Sequence, residues 1–162
     1  MQSEIGAVFD CNVLLQAAAR KSSPSAACLR LAENEFVRLY ISEEILTEVA
    51  EVMNRPKVRE RFPELTDGIV EEILDQLESM AETIKHTPKR FSYQRDVDDE
   101  PYINLAVEAE ADYIVSRDKD LLDLMTSYAD EGKDFRRRFR PLKVIDPMEF
   151  LKEMEKTQSG GV

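Results

Sequence analysis

The chain is poor in the residues that build several common kinds of site. One histidine and two cysteines occur in 162 residues. The histidine, His86, stands in the basic stretch "IKHTPKR", a setting that suits the surface better than a catalytic centre. Cys11 and Cys28 lie in apolar surroundings without Cys-x-x-Cys spacing, so neither a disulfide nor a zinc site is expected. Cations are also short, with 22 Lys and Arg against 33 Asp and Glu and a formal net charge of −11. That is the wrong sign for gripping a phosphate backbone by bulk electrostatics, so any role on nucleic acid must be local. No apolar run approaches the length that spans a bilayer, and no basic region followed by an apolar one opens the chain. A soluble, cytoplasmic protein with no membrane partner is expected. Its length fits one domain able to bury a core without staples.

What is present alternates. Short apolar runs at Ile5 to Phe9, Phe36 to Ile41, Asp112 to Ser116 and Leu142 to Asp146 read as strands. Helices with recognisable starts lie between them. Ser23 before Pro24 caps one, and Ser42 before Glu43 caps a second that carries Ile45, Leu46, Val49, Val52 and Met53 and stops ahead of Pro56. Thr66 opens a third with Ile69, Val70, Ile73, Leu74, Leu77 and Met80 at helical spacing. Asp98 and Asp99 precede a fourth at Pro101, Asp120 is expected to cap a short one, and Pro147 begins the last. Residues 88–95 read as a polar loop. Continuous apolar strands joined by helices imply a parallel sheet covered on both faces, because parallel strands need crossovers. The expected architecture is α/β, a single domain over residues 1–155 followed by a disordered tail over 156–162.

The acidic residues then fall into place. In an open parallel sheet, chemistry gathers in the crevice beyond the carboxyl ends of the strands. Asp10 ends the first strand, and Asp118 lies two residues past the end of the "DYIVS" strand. Asp99 and its neighbour Asp98 start the helix whose following strand leads to Asp118. On the helix after Ser42, Glu48 lies nearest the apolar stripe, three residues after Ile45 and four before Val52, whereas Glu44 and Glu51 face solvent. Four carboxylates converging on one point repel one another and need a counter-charge. Oxygen ligands with no histidine or thiolate nearby suit Mg²⁺, or Mn²⁺, better than zinc.

These residues carry a resemblance. "VFDCNVLL", "SEEILTEVAEVMNRPKV" and "DVDDEPYINLAVEAEADYIVSRDKDLL" together resemble the acidic motifs of PIN-domain ribonucleases, and most of all the VapC type of toxin-antitoxin systems, over Ile5 to Leu151. The resemblance implies a three-layer α/β/α sandwich with a central parallel sheet and a metal-dependent endoribonuclease. It implies Asp10, Glu48, Asp99 and Asp118 as the acidic quartet, with Asp10, Asp99 and Asp118 at the metal. Glu48 would orient the attacking water or serve as an outer ligand. Asn12 would steady the first acid, and Ser116 stands where the family usually has threonine. "DVDDE" offers Asp96, Asp98 and Asp99 for the third acid; Asp99 is favoured because Ala106 follows two helical turns later. An antitoxin partner and a homodimer are further implications.

RNA needs cations near such a pocket. "FRRRFRPLK" supplies Arg136, Arg137, Arg138 and Arg140, with Phe135 and Phe139 interleaved as possible stacking platforms. A second cluster around Arg55 and Lys57 follows the Glu48 helix. Two other classes fit part of the pattern: a non-catalytic PIN-like module that binds RNA or protein, and a Mg²⁺-dependent phosphatase with Asp10 as nucleophile.

Overall fold

A computed structural model describes residues 5–160 of the chain. The elements, in chain order, are β1 (Gly6–Phe9), α1 (Cys11–Ala19), α2 (Pro24–Glu33), β2 (Arg38–Ser42), α3 (Glu43–Met53), α4 (Pro56–Arg61), α5 (Asp67–Met80) and β3 (Glu82–Ile84). There follow α6 (Glu100–Glu108), β4 (Tyr113–Val115), α7 (Lys119–Leu122), α8 (Asp130–Phe139), β5 (Lys143–Ile145) and α9 (Pro147–Gly160). All pairings in the sheet are parallel, in the order β3-β2-β1-β4-β5. From β1 the chain moves outward through β2 to β3, then crosses back to β4 and β5. With right-handed crossovers the two directions of travel put helices on opposite faces. Accordingly α6 packs over β1, β2 and β4 on one face, while α1, α2 and α9 pack together on the other. The parallel sheet covered on both faces that the alternation predicts is observed, and with it the α/β/α sandwich that the resemblance implies.

Local chemistry explains the helix starts. Ser23, Ser42 and Thr66 each accept the backbone N–H three residues on, at 3.1, 3.1 and 3.2 Å, as the caps read from the sequence require. Four elements were not legible: α1, β3, α4 and α8. Helix α1 begins directly after Asp10, because that side chain accepts the Val13 N–H at 2.9 Å and so ends the strand by capping a helix. Strand β3 has three residues, none of them buried, and pairs only with β2, so it carries no apolar run. At the other end, α9 continues to Gly160 through a segment expected to be disordered. There the Thr157 hydroxyl donates to the Glu153 carbonyl at 3.0 Å; residues 161–162 of that tail lie outside the described residues.

The polar loop over 88–95 is irregular but firmly held. Asn104 of α6, itself buried, accepts the N–H groups of Arg90 and Phe91 at 2.9 Å each and donates to the Phe91 carbonyl at 3.3 Å. Glu100 accepts the Tyr93 N–H at 2.8 Å and pairs with Lys89 at 3.2 Å. Phe91 and Tyr93 are buried, and Phe91 packs edge-on against Phe135 and Phe139 of α8. The two phenylalanines of "FRRRF" therefore belong to an aromatic cluster rather than to a base-stacking surface. Phe135 is fully buried in that cluster and Phe139 half-buried.

This strap delivers Asp96 and Asp99 to their places, so its anchor has a measurable weight. Asn104→Ala strips one buried and one partly buried N–H group of their acceptor and should cost on the order of 1–3 kcal/mol of stability, read as a lower urea midpoint at unchanged slope. A loss below about 0.5 kcal/mol, the level of ordinary surface changes, would show that the loop is held by other means.

Candidate active site

Strand order places a topological switch point at β1, whose neighbours β2 and β4 are reached by crossovers on opposite faces. The crevice beyond its carboxyl end is where such folds expose functional groups. Asp10 follows β1 and its N–H bonds to Val115 of β4 at 3.1 Å, so the loops after β1 and β4 leave the sheet side by side. A hollow of about 250 Å³ opens there, and its walls include Asp10, Glu48, Asp96, Asp99, Tyr102 and Asp118.

Asp10 is only 4% exposed and both of its oxygens are engaged. Oδ1 accepts the Val13 N–H and Oδ2 accepts a very short hydrogen bond from the Ser116 hydroxyl. Ser116 Oγ in turn accepts the Asp118 N–H at 2.9 Å, and Asp118 Oδ1 accepts the Asp120 N–H at 2.8 Å. One chain of hydrogen bonds thus runs from the end of β1 to the start of α7. Asp118, not Asp120, caps that helix; Asp120 instead holds Arg95 at 2.7 Å, with Asp123 taking a second guanidinium nitrogen at 2.8 Å. Burial pushes the Asp10 carboxyl up to about 6, against the lowering effect of the Ser116 and Val13 hydrogen bonds.

Asp99 is placed differently. It ends a 3-10 turn over Val97–Asp99, is 7% exposed, and its Oδ2 is buried with no hydrogen-bond partner. Burial first, then the charges of Asp118, Asp96 and Asp10, drive its carboxyl up to about 8. Carboxylate oxygens of Asp96, Asp99 and Asp118 lie within 4.8 Å of one another. A buried acceptor without a donor, facing two more carboxylates, is an arrangement that a hard cation relieves. The donor set fits a divalent ion of the Mg²⁺ kind: oxygen only, with Cys11 held protonated because burial raises its thiol to about 12.

The residues singled out from the sequence divide into three groups. Asp10, Asp99, Asp118 and Glu48 meet at the hollow as expected, with Ser116 linking the first to the third. Asn12 and Asp98 line its rim but are exposed, and among the described residues no hydrogen bond joins Asn12 to Asp10. The steadying contacts come instead from Val13 and Ser116. Of the cations, Arg55 lines the hollow while paired with Glu51 at 3.0 Å, and Lys57 is exposed on α4. The arginines of α8 are engaged elsewhere. Arg136 donates to the Leu124 and Ser127 carbonyls, Arg137 and Arg138 pair with Asp134, and Arg138 also reaches the Arg90 carbonyl. Arg140 follows at the entrance to β5, the amino edge of the sheet, and lies on the opposite side from the crevice. Two residues join the site that sequence patterning did not select. Asp96 was one of three acids in "DVDDE" and not the favoured one, and Tyr102 looked like an ordinary apolar position of α6; only its place one turn after Asp99 could have drawn attention.

Known proteins agree with this architecture. A sequence model of the PIN domain matches residues 6–120. An uncharacterized protein of Methanocaldococcus jannaschii, MJ1680, is 32% identical over 153 residues, covering 94% of each chain. Among solved structures, VapBC2 from Rickettsia felis, bound to a DNA fragment from its promoter, superposes with a TM-score of 0.52 at 17% identity, covering 88% of this chain and 98% of that one. The fold and the acidic crevice define a PIN-like protein. The chain belongs to the PIN-domain family.

The raised carboxyl of Asp99 sets a pH dependence. An unfolded aspartate ionises near 3.9, so between there and about 8 the folded chain holds a proton that the unfolded chain has lost. Stability of the metal-free protein must fall as pH rises through that window, and Asp10 contributes in the same direction up to about 6. In EDTA, Tm should decline from pH 5 to pH 8, and Asp99→Asn should flatten the decline and raise Tm at pH 8, by about 2–4 °C for each kcal/mol relieved. A Tm insensitive to both changes would remove the buried charge from the account.

Proposed function

We propose that the chain is a divalent-metal-dependent endoribonuclease that hydrolyses RNA phosphodiester bonds, and that it acts as the toxin of a toxin-antitoxin pair. The observation that carries the catalytic reading is the unpartnered buried oxygen of Asp99 among the carboxylates of Asp96 and Asp118. On this reading Asp99 and Asp118 hold Mg²⁺ or Mn²⁺ together with Asp10, and Asp96 joins the set. A cation there supplies water activation and charge neutralisation at a phosphodiester.

The chain's own residues supply the rest. Val13 and Ser116 fix the Asp10 carboxylate, so that its orientation costs nothing when substrate arrives. Glu48, across the hollow on α3, orients the attacking water. Arg55 lies on the same wall and can meet a phosphate once it releases Glu51. A phosphatase using Asp10 as nucleophile is not favoured, because the chain belongs to the PIN-domain family. The toxin reading draws on the fold shared with a protein of the Rickettsia felis VapBC2 structure; it implies an antitoxin partner, a homodimer and a cytoplasmic setting.

Mixed RNA incubated with Mg²⁺ or Mn²⁺ should be fragmented, and EDTA should stop it. Asp10→Asn, which keeps an acceptor for the Val13 cap, should reduce cleavage at least about 100-fold while leaving the fold intact by circular dichroism. Cleavage that survives EDTA or Asp10→Asn, or turnover of a phosphomonoester in place of RNA, would refute the assignment.

A further inference from the structure

The four acids of the quartet reach the crevice by unequal means. Asp10 and Asp118 are fixed by the hydrogen-bond chain through Ser116, and Asp99 by its burial. Glu48 has none of these supports: it projects from the middle of α3, half-buried, on a side chain with three torsions. Among the described residues its one hydrogen bond comes from the Tyr102 hydroxyl, which donates to Oε1 at 2.7 Å.

We propose that Tyr102 is a positioning residue that sets the Glu48 carboxylate over the crevice, holding Oε1 so that Oε2 alone faces the substrate. The inference rests on the nuclease reading above, and it adds to the acidic quartet a neutral residue that does not touch the metal. Three observations carry it. The ring is 2% exposed, on a helix that contacts both α3 and the sheet, so the hydroxyl has little freedom. Tyr102 lies one helical turn after Asp99 on α6, so the segment that places the third acid also places the donor for the second. Finally, an ionised carboxylate only accepts and a phenol donates readily, and burial beside Cys11 and Glu48 holds this phenol well above its usual range; the hydroxyl therefore keeps its proton. Left without that bond, a glutamate on a helix surface spreads over several rotamers, and a group that orients a reacting water loses the geometry on which its effect depends.

A purely structural tyrosine would satisfy the same distance, so the test separates the two. Wild type, Tyr102→Phe, Glu48→Gln and the double variant are compared on one RNA at saturating Mg²⁺, and Mn²⁺ affinity of each is measured by calorimetry. Phe fills the same space, so folding is preserved. Tyr102→Phe is expected to lower kcat about tenfold with KM within about twofold and Mn²⁺ affinity unchanged. In the Glu48→Gln background the same substitution should have no further effect on kcat, since residues acting through one group are not additive. Multiplicative effects, or a Tyr102→Phe variant as active as wild type, would overturn the proposal. A readout independent of RNA is the Glu48 carboxyl carbon in protein labelled with ¹³C-glutamate, assigned by its disappearance in Glu48→Gln. Its resonance should move in Tyr102→Phe. A resonance that stays in place overturns the positioning role even if RNA is cut, whereas a resonance that moves in a protein that cuts no RNA leaves the contact standing and removes the nuclease reading instead.

Discussion

Repulsion among carboxylates is the constraint around which this molecule is arranged. The fold brings Asp10, Glu48, Asp96, Asp99 and Asp118 to one hollow at the end of β1, in a chain whose formal charge is already −11. Charges of one sign gathered in a low-dielectric pocket oppose folding unless something answers them. The protein answers part of the demand itself. Backbone N–H groups at the starts of α1 and α7 and the Ser116 hydroxyl satisfy Asp10 and Asp118. Asp99 is left out of that scheme, with a buried oxygen facing more negative charge. The unanswered remainder is concentrated on one side chain, and that is where a cation would have the most to gain.

Holding repelling groups together requires a rigid frame, and the frame is unusually polar for a loop. The segment entering Asp96 has its backbone donors captured by Asn104 and Glu100 from α6 and its aromatic rings buried against α8. Arg95, immediately before Asp96, is pinned by Asp120 and Asp123 beyond the end of β4. The guanidinium thereby spends its charge on Asp120 and Asp123, and among the described residues Asp96, beside Asp99 and Asp118, has no salt-bridge partner. Helix α6 serves both ends: its first residues anchor the loop and present the third acid, while Asn104 and Tyr102, both within about a turn of its start, secure the loop and Glu48.

Much of this was readable in the chain because strand ends and helix caps are local features. Asp10 and Asp118 follow short apolar runs, and Glu48 borders the apolar stripe of its helix, so position alone marked all three. What escaped has a common cause. Asp10 plays two parts, ending β1 and capping α1, and the apolar run through Leu15 conceals the change of backbone between them. Strand β3 is exposed and survives by pairing with β2 rather than by its own hydrophobicity. Phe135, Phe139 and Tyr102 owe their roles to partners 44 to 54 residues away, and no periodicity records such contacts. For the arginines of α8 the carbonyl partners of Arg136 and Arg138 lie on other segments and leave no mark in the sequence, whereas the pairing of Arg137 and Arg138 with Asp134 is local to the helix.

The fate of those arginines bears on how a polyanion could approach. With Arg136 and Arg138 bonded to backbone carbonyls and Arg137 paired with Asp134, the cations near the crevice include Arg55 on its wall and the exposed Arg117 and Lys119 flanking Asp118. Against the six acidic side chains that line the hollow they leave the local balance negative, and at physiological ionic strength charges within about 8 Å are not screened from one another. An RNA phosphate entering an unneutralised hollow would therefore meet net repulsion. On the proposed function, cation and RNA each favour the other's binding: the ion reverses the local sign for the phosphate, and the phosphate offers the ion further oxygen ligands. Such coupling is reciprocal by thermodynamic necessity, so a site built from acids that the fold itself cannot satisfy becomes selective for the pair over either component alone.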